Sequence, residues 1–318
     1  MSGSTTTNDT HTGLPMEDLG GPTADRLPGG HSAYPLDRSD SETRRLIMQA
    51  ELFDKFIRRF LEDAGLARGM RVLDVGSGGG DVAFAAADIV GPTGAVVGVD
   101  VDPSVLSKAR ARAEKAGRDN VVFVEGDCRS SGVDGDFDAV VGRLVLMYVG
   151  DVVETLRSLV ARVRPGGVVA FAEADFTPVL GYVHAGGSEL PRTCWEWGTE
   201  AFRRVGAHTA MAPILCNAFI ESGLGEPHMV LHAPLGCHSD WTGYEWLAES
   251  IRSLLPVLEN FDIVTGEVVD VATLAGRLRA EVVRTRFPLM LVPLVSAWAR
   301  KPTDEPGIAA VGSARPTE

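Results

Sequence analysis

From Arg71 onward the chain alternates short β-branched runs with segments of helical period. RVLDV, AVVGVD, NVVFVEGD, FDAVVG and GVVAFAEADF read as strands, with helices near 80–90, 103–117 and 151–163 between them. Pro103 sits where a helix tolerates proline, at its first position. This order predicts a parallel sheet with crossover helices, a doubly wound α/β core. Upstream, Ser39 and Glu42 have the spacing of a capping box, and Leu46, Ala50, Phe53, Ile57, Phe60 and Ala64 then recur at helical spacing. They predict one amphipathic helix ending near Gly65. After Phe176 the alternation lapses for about 30 residues rich in Gly, Trp, Arg and His. A helix near 210–223, the strand-like EPHMVLHAPL, a helical insertion over 240–284 and the run LMLVPLVSAWARKP complete the pattern, without an internal repeat. The expected organisation is a leader without order over 1–38, an N-terminal helix covering the active site over 39–67, a main domain over 68–302 and a loose tail over 303–318. Within the main domain, lid insertions are expected at about 177–209 and 238–284.

Composition narrows the partners. Among 318 residues, 30 Lys and Arg stand against 43 Asp and Glu, a formal net charge of −13 that repels phosphate backbones and anionic lipid. No apolar run is long enough to span a bilayer, and the first residues lack the basic and apolar regions of a secretory signal. Cys128, Cys194, Cys216 and Cys237 have neither zinc-site spacing nor a disulfide framework. The expectation is a cytoplasmic protein with reduced thiols and no bound metal. Its partner is a small-molecule acceptor rather than nucleic acid or membrane, with a homo-oligomer open.

The chemistry concentrates at Val72–Asp81, where an apolar strand enters a glycine-rich turn that opens a helix. Ligands of such sheets bind at the carboxyl ends of the strands, where glycine lets the backbone come close. A dinucleotide fingerprint needs a small residue at position 81; Asp81 instead puts a carboxylate where a pyrophosphate would lie, which disfavours NAD. Asp74, Asp100, Gly126-Asp127 and Gly142-Arg143 close successive strands and converge on one crevice. Acids there suit a ligand bearing hydroxyls, an ammonium and an exocyclic amine. In VLDVGSGGGD, VVGVDVDP, VEGD and LVARVRPGGVVAF the sequence resembles the class I S-adenosylmethionine (SAM) methyltransferases, in the small-molecule branch related to the ubiquinone/menaquinone C-methyltransferases. The resemblance covers residues 41–180 closely and the rest loosely. It implies a seven-stranded, mostly parallel Rossmann-like sheet with helical lid insertions, and SAM as cofactor. It further implies that Asp74 and the loop containing Gly76, Ser77 and Gly78 meet the methionine part, and that Asp100, with Val101 beside it, takes the ribose hydroxyls. Gly126, Asp127 and Cys128 would meet the adenine, and the Gly142 carbonyl, with Arg143 next to it, the ammonium. Gln49, Arg44 and Tyr34 match positions near the cofactor carboxylate and the acceptor. Asp74 and Asp127 read alternatively as turn caps, Asp81 as a helix-dipole partner and Arg44 as solvated.

The acceptor is less defined. Gly142-Arg143-Leu144-Val145 is not the Pro-Pro-aromatic set that resembling enzymes use on amide or nucleobase nitrogen, and no Pro-Cys pair or catechol-type metal cluster is present. Tyr182, Trp195 and Trp197 in the first insertion, and Trp241, Tyr244 and Trp246 in the second, suggest either an apolar acceptor pocket or aromatics knitting the lid to the core. Arg192, Arg203 and Arg204 suit an anionic acceptor group or a solvated helix face. Strand period places Phe171, Glu173 and Asp175 on one face, making Glu173 the first candidate base and Asp175 the second. Tyr148, after the fourth strand, falls where resembling enzymes carry an acceptor-facing His or Tyr; both acids and Tyr148 also admit structural roles. His184, His208, His232 and His238 are further candidates for a base. The expected function is methyl transfer to oxygen or carbon of an apolar metabolite of terpenoid, polyketide or quinone-like type. The alternatives are a SAM-binding cyclase or isomerase, an NAD-dependent oxidoreductase and a silent binding subunit.

Overall fold

The computed structural model describes residues 40–303 except 128, 130–132, 134 and 187, and the backbone alone at 40–47, 50 and 51. The leader, Tyr34, the Ser39 capping box, Cys128 and nearly all of the tail lie outside the described residues, as does the Arg44 side chain. The chain opens with α1 (Asp40–Asp63) and then alternates β1 (Arg71–Val75), α2 (Asp81–Val90), β2 (Ala95–Asp100), α3 (Pro103–Lys115), β3 (Val121–Glu125), β4 (Phe137–Arg143), α4 (Val152–Val160) and β5 (Val163–Ala174). Pro103 is at the start of α3, where the Asp102 side chain accepts from the Ser104 amide; Asp151 caps α4 the same way through Glu154. The stretch after Phe176, where the hydrophobic alternation lapses, is not irregular. It forms α5 (Thr177–His184) and α6 (Glu189–Arg204), because Pro191, Cys194, Trp195, Gly198 and Ala201 build one buried stripe that the strand period hides. Then come α7 (Met211–Glu221), β6 (His228–His232), β7 (Leu235–Gly236), α8 (Gly243–Asn260), α9 (Gly266–Val269), α10 (Val271–Thr285), β8 (Leu289–Met290) and β9 (Leu294–Arg300).

Seven strands form one sheet in the order β3-β2-β1-β4-β5-β9-β6, with β9 antiparallel to both neighbours and the first five strands parallel. Central strands are buried on both faces, which accounts for their continuous Val, Leu and Ala runs. Right-handed crossovers run from β1 outward to β3 and from β4 outward to β5, so the chain reverses direction between β1 and β4. At that switch point the carboxyl ends of adjacent strands leave a crevice.

Helices α5, α6, α8 and α10 pack on one another as a helical unit, and α1 bridges α2 of the core to α8 of that unit. Phe53, 1% exposed, carries this bridge, with its ring 6.3 Å from Trp246. Among the described residues no helix is long and apolar enough to cross a membrane. Phe53→Ala empties a packed site between two helices, so urea denaturation is expected to give a loss of about 3 kcal/mol. A loss under about 1 kcal/mol would mean that α1 is not held by this contact.

Candidate functional site

The turn after β1 is stitched into the sheet by its own backbone. The Ser77 amide donates to Val99 O (2.9 Å) and the Gly80 amide to Ser77 O (2.8 Å). Gly76 has φ +62°, and a Cβ there would overlap the Val145 side chain, so this position admits only glycine. Asp100 ties two turns together: Oδ2 accepts from Gly78 N and Oδ1 from Asp102 N, both at 2.9 Å. Each carboxylate oxygen keeps a second lone-pair direction for another donor. Next to it, Val101 is 60% exposed, an apolar surface at the rim of the crevice. At the end of β3 the Gly126 amide donates to Asp100 O (3.0 Å). Asp127 is gripped by Arg129 through both oxygens, at 3.1 Å each.

Asp74 is the exception among these acids. It is 1% exposed, and neither carboxylate oxygen has a hydrogen-bond partner among the described residues; the buried Ser77 Oγ, in the turn just beyond it, is likewise unpartnered. Loss of solvent pushes the Asp74 carboxyl up to about 8, with the nearby Arg143 charge and the Ala83 amide, which falls short of hydrogen-bond geometry, pulling the other way. A ligand that brings an ammonium or hydroxyl to this turn supplies the missing partner, so these residues fit the polar amino-acid end of SAM. Arg143 reaches across to Asp81 (3.3 Å), which Arg112 also holds (2.9 Å). Asp81 is thus an ion-pair hub at the start of α2. Gly142 must be glycine because a Cβ would lie 2.6 Å from the Phe171 ring.

Both acids at the end of β5 are engaged by backbone. Glu173 is fully buried and accepts from Val145 N (3.2 and 3.0 Å to its two oxygens), Leu146 N (3.0 Å) and Met147 N (3.3 Å). Burial pushes its carboxyl up to about 7, opposed by those amides. Asp175, also buried, accepts from Thr177 N (2.9 Å) and Ala212 N (2.8 Å), holding the starts of α5 and α7. The strand period gives the correct face for Glu173, but the turn after β4 folds over it. With no exposed surface and both oxygens on backbone amides, Glu173 is held by the protein's own turn.

The lid aromatics have partners of their own. Trp195 is buried with its indole N–H on Met290 O (3.1 Å), and Tyr182 donates to Pro288 O (2.9 Å) while lying against Phe287. Both therefore pin the insertion to the segment before β9. Trp197 is half-buried against the core. Arg192 faces Glu196 at 3.9 Å, and Arg203 and Arg204 share Glu200, so two carboxylates offset part of the charge of this basic cluster. Tyr148 is half-buried beside Phe202 of α6, with ring centroids 6.4 Å apart. The His208 ring nitrogen bonds Val149 O (3.0 Å), and His184 lies 3.4 Å from Glu196. A group that the linear pattern does not single out lies where α1, β6 and α8 meet. His232 stacks on Phe56 (4.3 Å), Phe53 contacts both His232 and Trp246, and Gln49, 5% exposed, lies one turn before Phe53. The indole N–H of Trp246 and the buried Tyr244 hydroxyl have no partner among the described residues. Helical spacing marks Phe53 and Phe60 as apolar, but nothing in the sequence says that β6 lies opposite.

A crevice at the β1/β4 switch point, a glycine turn and an acid at the end of β2 are shared by dinucleotide- and SAM-binding Rossmann-like folds, and comparison with known proteins points to the second. Residues 66–206 match the family described as a methyltransferase domain (Methyltransf_31). Aklanonic acid methyltransferase DauC of Streptomyces sp. (strain C5) is 33% identical over 44% of this chain and 64% of its own length. The ubiquinone/menaquinone biosynthesis C-methyltransferase UbiE of Ectopseudomonas mendocina (strain ymp) is 39% identical over 40% of this chain and 52% of its own length. The match to each therefore spans between half and two thirds of the relative. The YcgJ protein of Bacillus subtilis shares the fold, with a TM-score of 0.50 and 15% identity over 78% of this chain and 99% of its own. Residues 66–206 are thus a class I SAM-dependent methyltransferase domain, and SAM is the cofactor of that fold.

Because the Asp74 carboxyl is raised from 3.8 to about 8, the folded protein holds one more proton than the unfolded chain between those values. This group's contribution to stability is therefore lost as pH climbs from 4 to 8 and regained as it falls. Asp74→Asn is expected to stabilise the ligand-free protein at pH 8 by about 2 kcal/mol in urea denaturation, with the gain vanishing towards pH 4. Equal stability of the two proteins at pH 8 would mean that the carboxylate already has a partner.

Proposed function

We propose that this chain transfers a methyl group from SAM to oxygen or carbon of an apolar, quinone-like small molecule. The observation that carries the reading is the buried, unpartnered Asp74 carboxylate with Ser77 Oγ in the glycine turn at the switch point. In this reading Asp74, Ser77 and the Gly76–Gly80 turn hold the amino-acid end of the cofactor. Asp100 takes the ribose hydroxyls with its remaining lone pairs, Val101 lies against the adenine, and Gly126 and Asp127 complete that end. The Gly142 carbonyl accepts from the ammonium, and Arg143, through Asp81, keeps the cradle's charge balanced. When bound, SAM supplies an electrophilic methyl on a cationic sulfur. The chain's own task is then to hold the acceptor in line with that methyl and to keep water out.

For the acceptor, the aromatic group of Phe53, Phe56, His232 and Trp246, with Gln49 and the unpartnered Trp246 N–H, offers an apolar wall with a few polar points. Burial holds the His232 imidazole below its usual range, so it is neutral at physiological pH. The relatives' names, one for aklanonic acid and one for ubiquinone and menaquinone biosynthesis, support an acceptor of quinone-like character.

Calorimetric titration with S-adenosylhomocysteine and, separately, NADH tests the reading on wild type and Asp100→Ala. Wild type is expected to bind S-adenosylhomocysteine alone, and Asp100→Ala to bind it at least about tenfold more weakly, a loss of about 1.4 kcal/mol. Binding of NADH alone would overturn the assignment. With the cofactor established, quinone-like candidates are screened for the mass gain of one methyl group.

A further inference from the structure

One short turn connects the cofactor cradle to the helical insertion. Residues 144–148 follow β4 directly. Val145 lies against Gly76, on the floor of the glycine turn. At the other end Tyr148 faces Phe202 of α6, the His208 amide donates to Met147 O (2.8 Å) and the His208 ring bonds Val149 O. Leu144 adopts φ +57°, a left-handed conformation that a leucine takes only when its surroundings impose it. Three consecutive amides, of Val145, Leu146 and Met147, are thereby turned inward onto the Glu173 carboxylate, a nest of N–H groups around one anion. Ionised, Glu173 can accept from all of them. An isosteric amide cannot, since one of its two ends is a donor facing donors.

We propose that Glu173 is a positioning residue for cofactor binding. Its carboxylate fixes the turn after β4 so that Val145 sets the shape of the glycine turn, and it acts on the cofactor only through that contact. The inference rests on the methyltransferase reading and goes beyond it by giving the buried acid a role other than proton transfer.

The experiment is a double-mutant cycle read by calorimetric binding of S-adenosylhomocysteine. It uses full-length wild type, Glu173→Gln, Val145→Ala and the double variant, each with its melting temperature. Asp138→Asn is the control: that carboxylate accepts from Arg71 N (2.7 Å) at the opposite end of the sheet, away from the turn. Glu173→Gln is expected to weaken binding about tenfold, as when a buried amide loses its acceptor. Val145→Ala is expected to weaken it several-fold, and the double variant no more than about twofold beyond the weaker single variant, because both act through one contact. Asp138→Asn lowers the melting temperature yet binds as wild type does. Wild-type affinity in Glu173→Gln, or losses that multiply in the double variant, would overturn the proposal. If Glu173→Gln does not fold, wild-type affinity in Val145→Ala overturns it equally. Failure of wild type itself to bind S-adenosylhomocysteine would instead sink the methyltransferase reading beneath it.

Discussion

A buried carboxylate is tolerated in a protein core only when its lone pairs are met by donors, and at the carboxyl end of β5 two such groups meet that condition with backbone amides alone. Glu173 collects the turn after β4, while Asp175 collects the first turns of α5 and α7. Three segments that leave the sheet in different directions are therefore anchored to two acids two residues apart, Glu173 near the end of β5 and Asp175 just past it. β5 suits this task because it joins the parallel half of the sheet to antiparallel β9 and is buried through its last residues.

Asp74 presents the opposite arrangement at the end of β1. It is as buried as Glu173, yet neither oxygen has a hydrogen-bond partner among the described residues. Burial pushes both carboxyls up, and at Glu173 three backbone amides oppose that push. An unsatisfied buried acid costs stability, which a ligand bringing a donor to this turn would recover. The neighbouring acids Asp81 and Asp127 carry no such cost, because Arg112 and Arg143 hold the first and Arg129 holds the second.

The aromatic residues divide along similar lines. Trp195 and Tyr182 have their polar atoms on the carbonyls of Met290 and Pro288, and so serve the attachment of the insertion. Phe53, Phe56, His232 and Trp246 come from three elements far apart in sequence and meet beside the N-terminal helix, with the indole N–H still open. A cluster of this kind is assembled by packing rather than by any local motif.

The sequence by itself determined the parallel α/β order, the glycine turn and the row of acids at strand ends, because two-residue and 3.6-residue periods and glycine chemistry are local properties. It placed Asp74, Asp100, Asp127 and Gly142 at one crevice, since consecutive strands of a doubly wound sheet end on the same side. It marked an insertion at 177–209 but not the bounds of α5 and α6 within it, since the buried stripe of α6 is built from small and aromatic residues rather than a run of leucines. Nor did it reveal what each acid bonds to. Glu173 faces the correct side of its strand, yet only the left-handed turn at Leu144 brings three amides onto it, and only the absence of such amides leaves Asp74 open. Whether a carboxylate anchors the chain or awaits a ligand depends on which donors the tertiary fold carries to it, and no local pattern encodes that.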